Sequence, residues 1–416
     1  MTESLNTNLL HPRQRVGDSL KRWREAGGGE ALALAVKNPA AVLELVKEAD
    51  LRGLGGSGFP VWRKWEAVAQ APAGTDKYLV CNGNEDEPGT YKDRLLLEET
   101  PHQVIEGALL AALAVGANRV AFYVNPDLKR SLAALELALA QWQGSERQQW
   151  VGDALGRPVV LELVPSSGHY IGGEETAALE WIEGKFPFPR GKPPYPAQCG
   201  VHGCPTLVNN VETLANLPAL VRHGAAWFRA QGVGKAGGTK LYSLSGDVLH
   251  PGVYELPMGT TLRDLIFVHG GGLLSGKPIK AVFTGGPSNT LLTPADLDVA
   301  LDFDSLKERG AALGTGAMIV VSEGTGIVKR VAEYVRFFAH SSCGQCPSCK
   351  TGTATISRLL DRIDTGQGTE ADMATLETLC AMLPGSGRCH LVNGVVQLLD
   401  SSFRHFRQEY RQALRP

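Results

Sequence analysis

No apolar run in this 416-residue chain is long enough to cross a bilayer. The longest, Gly107 to Ala117, stops at Asn118-Arg119, far short of the roughly 20 residues that a span requires. The expectation is no direct membrane insertion. A surplus of one charge is missing as well. The formal net charge is −2, so no basic field marks nucleic acid or an anionic lipid surface as a partner. The polar start, Met1 to Arg13, lacks the charged-then-apolar pattern of a signal peptide, and no segment repeats. Eight cysteines are present, but not in the spacing of a small secreted disulfide framework. These absences predict a soluble, cytoplasmic protein of two or three domains.

What the chain does have is a cysteine run, Cys343-Gly-Gln-Cys346-Pro-Ser-Cys349, with Cys389 thirty-nine intervening residues later. Two-residue gaps let three thiolates converge on one face of a compact inorganic cluster, and a remote fourth closes the cage. Four positions past Cys349 stands Thr353, where a bacterial two-cluster ferredoxin has a further cysteine, so the run implies one cluster. A structural zinc site would favour two separated C-x-x-C knuckles and has no use for a triple run. Iron–sulfur is the preferred reading, and it points to one-electron redox work.

The order of elements reads as α/β. Residues 16–50 carry helical spacing, and the glycine-rich Leu51 to Pro60 must be loop. Short apolar strands at 78–81, 120–124 and 159–164 alternate with helical patterns at 104–115, 128–142 and 174–183. Asn125-Pro126 reads as the cap of the second of these helices. Such alternation predicts a parallel sheet with helices on its faces. A composition shift near Gly237 opens a small unit with strands at 240–245, near 253 and at 281–284, and Thr261 caps a short helix. From Ile327 the pattern is helical. The expected division is 1–236, 237–325 and 326–416: a Rossmann-like domain, a β-grasp (ubiquitin-like) domain and a helical bundle carrying the cysteines.

Gly53-x-Gly55-x-x-Gly58 satisfies a dinucleotide-binding pattern, but a helix precedes it and Phe59-Pro60 follows, so the standard strand–loop–helix context is absent. With Arg52 and Lys64 it still makes a phosphate cradle of bare backbone and positive charge. Asn82 to Arg94 is a polar loop at the carboxyl end of a strand, where open α/β sheets bind ligands. Ser167 to Thr176 is a second such loop, opening a helix with Glu174-Glu175. Capping explains one of those acids better than two.

These segments together resemble the NADH-binding flavoprotein subunit of respiratory complex I, with its relatives in NAD-reducing hydrogenases and NAD-dependent formate dehydrogenases. The matching pieces are Arg52-Gly53-x-Gly55-Gly56-x-Gly58-Phe59-Pro60 with Lys64-Trp65, and Glu87-Pro-Gly-Thr-Tyr-Lys-Asp-Arg94. Tyr170-Ile-x-Gly-Glu-Glu-Thr-Ala177, Pro189-Arg-x-Lys-Pro-Pro194, Pro205-Thr-x-Val-Asn-Asn-Val-Glu-Thr213 and the cysteines complete them.

The resemblance implies FMN, NAD(H) and a 4Fe–4S cluster on Cys343, Cys346, Cys349 and Cys389, with Cys380 left as a packing thiol. It assigns Gly55, Gly56, Lys64, Asn82, Asn84, Glu174, Asn209, Asn210 and Thr213 to the flavin. Phe59, Lys64, Glu87, Tyr170, Glu175, Lys192 and Tyr195 would line the dinucleotide site. Glu87 and Tyr170 would position the nicotinamide, with no catalytic acid or base, because hydride passes directly to FMN. The implied partners are a thioredoxin-like 2Fe–2S subunit and further electron-transfer subunits, which would hold the chain at the inner membrane in a quinone-reducing assembly. A diaphorase subunit of a formate dehydrogenase or hydrogenase is the alternative. Leu54 and Asn84 stand where the family usually has arginine and aspartate, Val124-Asn-Pro lacks its Arg-Gly-Glu-Tyr, and Pro347 falls one place early. The departures predict altered flavin affinity or potential rather than lost activity. Cys81, Cys199 and Cys204 read as packing residues.

Overall fold

The computed structural model describes residues 8–72, 74–274 and 276–415. Its first sheet has four strands: β1 (Tyr78–Gly83), β2 (Arg119–Val124), β3 (Val160–Pro165) and β4 (Thr206–Asn210), in the order β3-β2-β1-β4. All three pairings are parallel, with Tyr78 opposite Arg119 on one side and Thr206 on the other. Parallel strands need helical crossovers, and these cover the sheet. Helix Pro101–Val115 is mostly apolar and is buried at every position but Ala114, His102, Gln103 and Glu106 included, as a helix enclosed on all faces is.

The second sheet holds β5 (Thr239–Gly246), β6 (Gly252–Pro257), β7 (Ile279–Thr284), β8 (Leu291–Leu292) and β9 (Ala317–Ser322), ordered β6-β5-β9-β7-β8. Only β5 and β9 run parallel. Four helices follow, Ile327–His340, Pro347–Asp364, Glu370–Met382 and Leu391–Gln412. Their core, built on residues such as Val331, Phe338, Ile356, Leu360, Val395 and Tyr410, extends into Phe283 and Leu291 of the second sheet.

The expected alternation is present, with four differences. Residues 16–50 form three short helices, Leu20–Glu25, Glu30–Ala35 and Ala40–Glu48, because Gly27-Gly28-Gly29 and Pro39 interrupt the helical spacing. Asn125 accepts from the Asp127 amide at 2.8 Å, making a local turn ahead of a helix that starts at Lys129. Helices Val61–Ala69, Lys92–Glu99 and Glu146–Leu155 gave no clear pattern. Neither did β4, whose five residues end in two amides, nor β9, hidden in an apolar run.

The two sheets are joined by buried charge. Lys92 Nζ lies 2.8 Å from Asp93, 3.0 Å from Glu212 and 3.1 Å from the Asn210 side-chain oxygen. Lys240, on β5, reaches the same Glu212 at 2.5 Å, and the Leu241 amide donates to the other carboxylate oxygen at 2.7 Å. Arg94 pairs with buried Glu85 at 2.7 Å, and Glu85 also accepts from the Asp93 amide at 2.7 Å. Burial opposes both ammonium charges. Lys92, with two carboxylates against it, is nonetheless raised; Lys240, sharing a single one, falls to about 8.

Another buried acid, Glu106, accepts from the Leu32 amide at 3.0 Å, yet burial raises its pKa to about 7. The unfolded chain gives up this proton near the ordinary value of about 4.3. Stability therefore falls as pH rises from there to about 7, by on the order of 3 kcal/mol, then levels. Glu106→Gln keeps the acceptor and should flatten that fall, as read from melting temperatures across the window.

Candidate functional site

The chain leaves β1 toward β2 on one flank, while β4 lies on the other, so the strand order reverses between β1 and β4. The carboxyl ends of strands at such a reversal leave a crevice that no crossover fills. A cavity of about 920 Å³ opens there, within the range of small-molecule and cofactor sites.

Its floor is amide-rich. Asn82 Nδ2 donates to the Gly173 carbonyl at 3.0 Å, and Asn209 accepts from the Trp65 indole at 2.8 Å. Asn210 donates to Asp93 at 2.7 Å and caps the next helix through the Glu212 amide at 3.0 Å. The glycine loop forms a wall. Thr213 Oγ1 accepts from the Leu54 amide at 2.9 Å, and the Gly53 amide closes the loop on Phe59 O at 2.9 Å. A Cβ on Gly55 would stand 2.9 Å from that of Asn210, so only glycine lets the loop settle this closely on the floor.

The paired glutamates divide their work. Glu174 caps helix Glu175–Ile182 by accepting from the Thr176 and Ala177 amides at 2.8 and 2.9 Å. Glu175 is left to meet Lys64 at 2.5 Å and Lys192 at 2.7 Å, and Lys192 also reaches Glu174 at 3.1 Å. Burial opposes the Glu175 charge, but the two ammonium groups outweigh it and its pKa is lowered. Phe59 and Tyr195 stand exposed at the rim, with the Lys64 ammonium 5.9 Å from the Phe59 ring centre. Flat rings with nearby cations suit a planar, phosphorylated ligand.

Deeper in, the Tyr170 hydroxyl donates to Glu87 at 2.6 Å, and the Ser288 amide donates to the other carboxylate oxygen at 3.1 Å. Burial raises the Glu87 pKa. The Tyr170 ring packs edge-on against Phe337 and Phe338, so this pair couples the first sheet to the helical segment. Asn84, the departure from aspartate, donates to Asp86 at 2.6 Å. A carboxylate thus stands beside position 84 even though residue 84 itself is neutral.

A second, small pocket is lined by Cys343, Cys346, Cys349 and Cys389, with Ile171, Leu391 and Val392 as apolar walls. The Arg388 amide donates to Cys346 Sγ at 3.4 Å, and the Ser342 hydroxyl lies 3.3 Å from Cys349 Sγ. Pro347 takes the first position of its helix with Cys346 at the cap, a place proline suits. The first turn, with its positive end, therefore faces the thiols. Donors on sulfur and a dry wall fit thiolates bound to an iron–sulfur cluster. Burial pushes the free Cys389 thiol up to about 11, so taking up metal there must release protons. Cys389, Ile171 and Leu391 line both pockets.

Of the residues expected at the flavin and dinucleotide sites, all but Gly56 line the large cavity. Gly56 sits in the loop with φ 142° and open space around it, so its part is to turn the chain. Cys380 is absent from the cysteine pocket's lining. Cys199 is exposed, which contradicts a packing role. Arg63, Asp86 and Thr315 also line the cavity. Thr315 comes from the loop before β9 and meets the Thr90 hydroxyl at 2.7 Å; no local pattern could have signalled it.

Residues 46–219 match the family described as the Nuo51 FMN-binding domain, and 329–413 the iron–sulfur binding region of NADH-ubiquinone oxidoreductase-F. Residues 241–288 match the SLBB domain. Fold and site together define an NADH-oxidising flavoprotein subunit that uses FMN and a 4Fe–4S cluster. The second NADH-quinone oxidoreductase F subunit of Rhizobium meliloti is 42% identical over 399 residues, covering 95% of this chain and 94% of that one. The corresponding F subunit of Escherichia coli is 37% identical, with 100% and 93% covered. An NAD+-reducing [NiFe]-hydrogenase structure superposes with a TM-score of 0.85 at 36% identity, over 95% of this chain and 67% of that one. The chain belongs to the family of NADH-quinone oxidoreductase F subunits.

Replacing Cys389 with serine should remove most of the iron and the cluster's visible absorption and reduced-state paramagnetic signal. Cys380→Ser should leave both in place.

Proposed function

We propose that the chain is the NADH entry point of a quinone-reducing, complex I-type assembly. The observation that carries this is the wall of Cys389, Ile171 and Leu391 shared by the two pockets. FMN, when bound in the large cavity, supplies two-electron hydride acceptance followed by one-electron release to the 4Fe–4S cluster.

The chain's own contribution is orientation and charge. Gly55, Lys64, Asn82, Asn84, Glu174, Asn209, Asn210 and Thr213 form the flavin cradle. Two act indirectly: Thr213 holds the glycine loop through the Leu54 amide, and Asn210 packs beneath Gly55. Phe59, Tyr195, Lys64 and Lys192 receive the adenine and phosphates of NADH at the rim, with Glu175 fixing both ammonium groups. Glu87 and Tyr170 hold the nicotinamide end beside the cysteine pocket, and no side chain exchanges a proton with the substrate. Leu54 and Asn84 adjust flavin affinity or potential and leave turnover intact.

The division into 1–236, 237–325 and 326–416 is supported by hydrophobic cores centred on the first sheet, which has two, on the second sheet and on the helices. Among the described residues no helix is long and apolar enough to cross a membrane. The chain's place is the cytoplasmic face, tied to the membrane through partners that include a separate thioredoxin-like 2Fe–2S subunit. The likeness to the hydrogenase structure favours one second reading, a diaphorase subunit of such an enzyme. Identifying the subunits that co-purify decides between them.

NADH should bleach the flavin absorption of the reconstituted protein and drive ferricyanide reduction; absence of both overturns the reading. Tyr170→Phe removes a hydrogen bond to a buried carboxylate, a loss of about 1.5–3 kcal/mol. It should lower kcat/KM for NADH by roughly ten- to a hundredfold.

A further inference from the structure

Two of the cysteines outside both pockets are held together by the backbone. Cys199 is exposed and Cys204 half-buried, and both are free thiols. The Gly200 amide donates to the Cys204 carbonyl at 2.8 Å, and the Gly203 and Cys204 amides close successive turns on Gly200 O and Val201 O. With standard bond lengths, the first of these bonds keeps the two α-carbons within about 7–8 Å of each other. A disulfide takes about 4.4–6.8 Å, a span within that limit, and its formation turns Cys204 Sγ away from the His202 carbonyl, 3.9 Å off. Arg190 braces the entry, donating to Gly200 O at 3.0 Å. Thr206 pins the exit, its hydroxyl accepting from Val201 N at 2.9 Å and its amide donating to Pro196 O at 2.9 Å.

We propose that Cys199 and Cys204 form a reversible intramolecular disulfide through exchange with a low-molecular-weight disulfide such as oxidised glutathione. The exposed Cys199, as thiolate, attacks one glutathione sulfur and expels the other glutathione as thiolate. Cys204, as thiolate, then attacks the mixed disulfide at the Cys199 sulfur and expels the second. The two protons lost by the cysteines end on the two glutathione thiols, so atoms and electrons balance. The bond forms between the rim segment Tyr195 to Gln198 and the start of β4, whose far end carries Asn209 and Asn210. Closing it stiffens the base on which Tyr195 stands. A disulfide in a reducing compartment is a labile, redox-responsive one.

The test uses the cofactor-loaded protein, equilibrated without oxygen in glutathione buffers of graded potential, alkylated, digested and weighed. A peptide bearing both cysteines should lose the mass of two hydrogens in the oxidising buffers and regain it on reduction. Cys199→Ser and Cys204→Ser should each abolish that species. Hydrogen exchange of the amides across 195–204 should slow on oxidation in the wild type only. Persistent single glutathione adducts, or both thiols free at every potential, overturn the disulfide. Unchanged exchange in oxidised protein overturns the stiffening.

Discussion

The site rests on a single buried network of charge. Lys92, Arg94 and Lys240 face Glu85, Asp93 and Glu212, three cations against three anions, drawn from a polar loop, two helices and β5. Asp93 and Glu212 are tied in further, to Asn210 and to the Leu241 amide, both at 2.7 Å, and removing one side of a buried pair costs about 3–5 kcal/mol. The network therefore fixes where the second sheet sits against the first. It also reaches the ligand cavity, since Asp93 anchors Asn210 on the floor and the Lys240 ammonium lies 3.5 Å from the Leu54 carbonyl beneath the glycine loop.

With that frame set, each group at the cavity needs only local support. The reversal of strand order opens the crevice, and the amides at the ends of β1 and β4 line it. One glutamate of the adjacent pair is spent on capping a helix, which holds the other in reach of two lysines. Glu87 is gripped from two directions, by a tyrosine of the first unit and a backbone amide of the second. Substrate-facing chemistry is thus built across three segments that are far apart in sequence, and none of them could form it alone.

Much of this was legible in the sequence because it is written locally. The cysteine spacing, the glycine loop, the Glu174-Glu175 pair and the alternation of short strands with helices are all short-range signals. What was not legible is carried by distance. β4 has no amphipathic pattern of its own and becomes a strand because β1 offers it a partner. Thr315 enters the cavity only through the docking of the second sheet. Glu106 reads as a polar residue in an apolar helix, and its pKa is raised by burial against the opposing bond from the Leu32 amide, which is far away in sequence. Cys199 was expected to pack inside and lies outside, since a proline- and glycine-rich stretch gives no periodicity by which to assign a face.

The four cysteines lie over a hydrophobic core of their own helices. Phe338, Ile356, Leu360, Val392, Val395 and Tyr410 pack the last four helices together beneath the cysteine loop. Small zinc modules, by contrast, stay unfolded until the ion arrives. Here three of the cysteines stand in one run and the fourth in a separate loop, above a core of ordinary apolar side chains, so most of the burial that holds these helices together comes from carbon rather than from sulfur.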